Sequence, residues 1–139
     1  MTRPAIPIPP VARVLGFAGL LPFAATAMAG FFPAWPAPAT PALIGYGAVI
    51  LSFLGGIRWG MAMGAPDMGA RLVVSVMPSL VGWLALLVPP AAGLILLATG
   101  FAAMLVVDLA VREAPSWYPR LRLPLSVGAI ACLLLGLLG

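Results

Sequence analysis

Five apolar runs, each separated from the next by prolines, glycine or charged residues, set the pattern of this chain. They lie at about residues 12–32, 42–63, 71–88, 91–111 and 123–139. About 20 apolar residues rising 1.5 Å each match a hydrocarbon core of about 30 Å, so each run predicts a membrane-spanning helix. The fifth, at 17 residues, sits at the lower limit of that range. Pro22 and Pro78 fall inside the first and third runs and predict kinks, because proline lacks an N–H and crowds the preceding turn. The expected architecture is an all-α membrane protein, a five-transmembrane-helix bundle forming one integral membrane domain over residues 1–139.

The polar breaks add an orientation. Alternating spans place Arg3, Arg13, Arg71, Arg112, Arg120 and Arg122 on one side, with Arg58 directed toward it. The breaks at 33–41 and 89–90, and the C-terminus, carry no basic residue. Arginine accumulates on the cytoplasmic side of membrane proteins, which predicts the N-terminus inside and the C-terminus outside. Trp59, Trp117 and Tyr118 then mark the inner interface, and Phe32, Trp35 and Tyr46 the outer one. The first run also fits a cleaved signal peptide, with a basic start and the small pairs Ala25/Ala27 and Ala27/Ala29. It continues through Phe31 and Phe32 as a full span would, and we keep it as the first span. Ala12-Arg13 and Ala70-Arg71 each open a proline-bearing span, a faint echo of a parallel repeat that chance explains better.

Composition narrows the chemistry. The chain is 63% hydrophobic and 7% charged, against about 25% charged in soluble domains. It has no His and no Lys, three acids and a lone Cys132. These residues assemble no nucleophile–base pair and no metal-ligand cluster, and no cofactor is expected. No glycine-rich phosphate loop follows a strand. Seven dispersed arginines form no basic patch for nucleic acid. So little polar lining argues against a conduction path through one chain.

Candidate sites concentrate in residues 46–64, YGAVILSFLGGIRWGMAMG. Ala48, Ser52, Gly56, Gly60 and Gly64 recur every four residues, a small-residue strip of the kind that lets helices approach closely in lipid. Arg58 lies inside the same run, and a charge at that depth is a functional or specifically paired position by default. Asp108 lies at matching depth near the end of the fourth run, so the two form a candidate intramembrane ion pair. The alternatives are a purely structural pair, or two charges snorkelling separately to the interface. Trp59 beside Arg58 is a candidate ligand or lipid contact. Residues 112–122 form a basic-aromatic connector in which Trp117, Tyr118, Arg120 and Arg122 are placed to touch headgroups or a partner.

Three stretches carry a resemblance: YGAVILSFLGGIRWG at 46–60, LGFAGLLPF at 15–23 and SWYPRLRLPLS at 116–126. The chain resembles, over almost its whole length, a family of small multispan proteins of unknown function. Its members are bacterial, with a eukaryotic transmembrane counterpart that looks mitochondrial. The resemblance matches Tyr46, Ser52, Gly55, Gly56, Arg58, Trp59, Gly60, Asp108, Trp117, Tyr118 and Arg122 to recurrent positions. Some members carry His at the position of Arg58, which argues against a role needing a permanent cation. The resemblance implies a multi-pass protein of the bacterial inner membrane, without a defined activity.

The expected function is therefore a non-enzymatic accessory, assembly factor or small subunit of a larger inner-membrane complex. Membrane lipids and another membrane protein, or a second copy, are the expected partners. The alternatives are a site for a lipid, quinone or other amphiphile near Arg58 and Trp59, and a proton-coupled oligomeric carrier titrating Asp108.

Overall fold

A computed structural model describes residues 5–35 and 38–139; Arg3, assigned above to the basic side, lies outside them. Every regular element among the described residues is helical: α1 (Pro10–Ala18), α2 (Leu20–Ala29), α3 (Ala39–Ala62), α4 (Met68–Ala85), α5 (Pro90–Ala110) and α6 (Trp117–Leu135). α1 and α2 together make one apolar span of 20 residues, Pro10–Ala29, so the six helices form five spans. Pro10 and Pro90 each occupy the first turn of a helix, where the missing N–H would have no intrahelical partner anyway. Gly64, with φ of 92°, turns the chain out of α3 in a backbone conformation that disfavours any side chain.

α3 is the central helix, packing on α2, α4, α5 and α6. Its inward face runs through Gly47, Ala48, Leu51, Leu54, Gly55 and Ala62, a spacing of three and four residues. Leu43, Leu51, Leu97, Phe101 and Leu133 are almost fully buried around it. Phe23 meets Tyr46 and Phe101 edge-on, at ring separations of 4.8 and 5.8 Å.

Glycines set the closest helix approaches, at positions other than most of the four-residue strip. A Cβ on Gly55 would lie 2.5 Å from the Ser75 carbonyl of α4, one on Gly82 3.0 Å from the Ala48 carbonyl, and one on Gly93 2.6 Å from the Ala85 carbonyl. At Gly56, Gly60 and Gly64 a Cβ would meet nothing within 4 Å. The reason is helical phase. A strict four-residue repeat advances about 40° per step on a helix of 3.6 residues per turn. Ala48 is buried and Ser52 half-buried, but Gly56 and Gly60 have rotated onto the exposed side, and Gly64 lies exposed past the end of α3.

Two further expectations change. The first span breaks at Gly19, three residues before Pro22. Proline at 22 leaves the Ala18 carbonyl without the N–H four residues on, the kink expected there, and the Tyr46 hydroxyl donates to the adjacent Gly19 carbonyl at 2.8 Å. Tyr46 is therefore a half-buried tie between spans instead of an interface aromatic. The last helix starts at Trp117, so residues 117–122 are its first two turns and not part of a connector. Tyr118 N–H bonds the Pro115 carbonyl at 2.9 Å as that helix begins.

Candidate functional site

The intramembrane charges converge near one end of the bundle. Arg58 lies four residues before the end of α3, Asp108 two before the end of α5, and Arg122 five after the start of α6. α3 and α5 run parallel with α6 antiparallel to them, so these three near-terminal positions share one level. Arg58 Nη1 donates to Asp108 Oδ1 at 3.0 Å. Arg122 Nε donates to Asp108 Oδ2 at 2.9 Å, and the Tyr118 hydroxyl approaches the same oxygen at 3.5 Å, the outer limit of a hydrogen bond.

Asp108 is completely buried, with its two oxygens taken up by these groups. Arg58 is 14% exposed and Arg122 8% by side chain. The cluster thus joins α3, α5 and α6 through one carboxylate between two guanidinium groups. Bonds with both partners ionised are the stronger kind, and they gain further where water is scarce. Two arginines against one aspartate leave a net positive charge. Among the described residues, Arg122 Nη2 and Ser126 Oγ are buried without a partner.

Pairing of Arg58 with Asp108 was expected on depth alone; Arg122 was expected at the headgroups and is instead turned into the core. The signal was present in the sequence. Once α6 starts at Trp117, Arg122, Ser126, Ala129 and Leu133 recur every three or four residues and form its buried face. Arg120, two positions before Arg122, lies on the exposed side and donates to the Ile6 carbonyl, tying the N-terminal segment to α6. Trp117 is half-buried and meets Tyr118 edge-on at 6.2 Å, and Trp59 is exposed on α3.

A second, open set of charges rims the same end. Arg71 on α4 donates from Nε to Asp67 Oδ1 at 2.7 Å and from Nη1 to Glu113 Oε1 at 2.9 Å. The backbone N–H of Glu113 itself, then the Arg71 guanidinium, hold the Glu113 carboxyl below the usual carboxylate range. A shallow cavity of about 350 Å³ lies between Arg58, Arg71, Arg112 and Glu113. Among the described residues no three His, Cys, Asp or Glu side chains come together as a metal-ligand set.

A family model described as "Protein of unknown function (DUF3429)" matches residues 8–138. The chain is also similar to transmembrane protein 69 of Xenopus tropicalis, with 40% identity over 133 residues. That alignment covers 88% of this chain and 51% of the relative, so the chain spans about half the length of the curated protein it matches. No solved structure matches the chain.

Proposed function

We propose a role for the chain as what it is, a multi-pass membrane protein that belongs to the DUF3429 family: a non-enzymatic accessory or small subunit of a larger complex in the bacterial inner membrane. The observation that carries this reading is the saturation of Asp108. Its carboxylate, the acid available at membrane depth, is fully buried and held by two arginines. Both of its oxygens already accept from guanidinium donors on neighbouring helices, so the side chain is committed to holding the bundle together. Its charge serves to fasten three helices.

The exposed side of α3, with Phe53, Gly56, Trp59, Gly60 and Met63, supports a transmembrane helix of another protein as the partner. Small residues there allow close backbone approach, and the flanking aromatic and methionine side chains supply area and adaptability. The arginines gathered at the charged end support its lying at the cytoplasmic side.

Extraction of the tagged protein from its native membrane in mild detergent, followed by native gels and mass spectrometry, tests the reading. The expected result is a complex larger than the chain alone, containing a second membrane protein, that Gly60→Leu diminishes while the isolated bundle keeps its thermal stability. A chain recovered only by itself, with Gly60→Leu indistinguishable from wild type, would overturn it.

A further inference from the structure

A narrow cavity of about 150 Å³ lies between the first span, α3 and α6. Leu15 and Gly16 of α1, Ile50 and Phe53 of α3, and Leu125 of α6 form its apolar wall, and Arg122 is the charged side chain in it. This is roughly the size at which an apolar cavity stays dry and takes up a benzene-sized group. Arg122 is only 6% exposed, and its Nη2 is buried with no partner among the described residues. A buried cation that leaves a donor unmet beside an apolar cavity is costly unless a ligand acceptor completes it.

Depth decides the shape of that ligand. Arg122 is five residues into α6, roughly 8 Å from the charged end, whereas Ile50 is twelve residues before the end of α3, roughly 18 Å in. The polar group therefore sits toward the interface and the apolar wall extends toward the middle of the bundle, as the head and tail of an amphiphile lie in one leaflet. The volume admits part of a single alkyl chain. The charge balance asks for one negative charge, because Asp108 neutralises only one of the two arginines it holds.

We infer that this cavity binds a long-chain carboxylate, its alkyl chain along Leu15, Gly16, Ile50 and Leu125 and its carboxylate accepting from the Arg122 guanidinium. The site shares only Phe53 with the exposed α3 face on which the accessory role leans, and the tests use other residues, so either can fail without the other.

Photo-crosslinking of the full-length protein in nanodiscs with a diazirine-bearing palmitate tests this, with its methyl ester and a diazirine-bearing phosphatidic acid as parallel probes. Labelled peptides are expected from residues 15–20 and 121–129. Palmitate should exceed the ester by about tenfold or more, the size of one charge-assisted hydrogen bond. Arg122→Gln should abolish that preference. Should Arg122→Gln fail to accumulate, Leu15→Trp decides, because Leu15 lines the cavity from a largely exposed position and a larger ring there narrows the cavity without entering the core; it should suppress labelling with little change in thermal stability. Equal labelling by the ester, labelling confined to other faces, or undiminished labelling of Leu15→Trp would overturn the assignment. Preferential capture of phosphatidic acid would overturn the carboxylate and leave an anionic phospholipid as the occupant.

Discussion

Replacing Asp108 by asparagine removes the charge that holds Arg58 and Arg122 together and leaves two guanidinium groups facing a neutral amide. Opposite charges about 4 Å apart attract by about 4 kcal/mol at an effective dielectric of about 20. Asp108 holds two such partners, at 3.0 and 2.9 Å. Relaxation returns part of that. Arg58, at 14% exposure, can swing toward the end of the bundle, whereas Arg122, at 8%, is enclosed by α6 and its neighbours. The net cost expected for Asp108→Asn is therefore about 3–5 kcal/mol, the range for breaking a buried pair. Arg58→Gln leaves a neutral Arg122–Asp108 pair and should cost about 1.5–3 kcal/mol, the worth of one hydrogen bond to a charged group. In the double variant the loss should fall short of the sum by about 0.5–3 kcal/mol. Reversible unfolding in mixed micelles, followed by tryptophan fluorescence and helical circular dichroism, measures all four proteins. Additive losses, or Arg58→Gln costing as much as Asp108→Asn, would refute the shared-carboxylate geometry.

The two adjacent glycines of α3 should behave oppositely. Gly55→Leu drives a side chain into the Ser75 carbonyl and Pro78, and should prevent accumulation of the folded bundle. Gly56→Leu meets open space and should leave the melting temperature of the purified protein within error, and equal losses would refute the packing described. Tyr46→Phe keeps the ring against Phe23 and removes the hydroxyl donated to Gly19; a loss of about 1 kcal/mol is expected in the same unfolding assay. An unchanged stability would mean that the Gly19 carbonyl finds another donor. Reporter fusions after Pro38 and at Gly139 should report the outer side and fusions after Met68 and Ser116 the inner one, and an inner signal at Gly139 would break the orientation.

Much of this protein was legible in its residues because lipid permits few solutions. A backbone crossing hydrocarbon must satisfy its own hydrogen bonds, so apolar runs of about 20 residues can only be helices here. That determined the all-α class and the five spans before any packing was known. The matching depth of Arg58 and Asp108 was legible as well, since residue counts along parallel helices convert directly into distance. What remained hidden depended on rotation and on where helices begin. A four-residue spacing reads as one stripe on paper, but its drift of about 40° per step put Ala48 in the core and Gly60 outside it. Gly55, one position off the stripe, became the close contact because it faces the Ser75 carbonyl near the proline of α4. Arg122 looked like a headgroup contact among the polar residues before the fifth run. Only the start of α6 at Trp117 put it in phase with Ser126, Ala129 and Leu133 and turned it onto Asp108. Hydropathy measures how apolar a stretch is; it carries no azimuth, and azimuth is what assigns a charge to water, to lipid or to a partner buried on another helix.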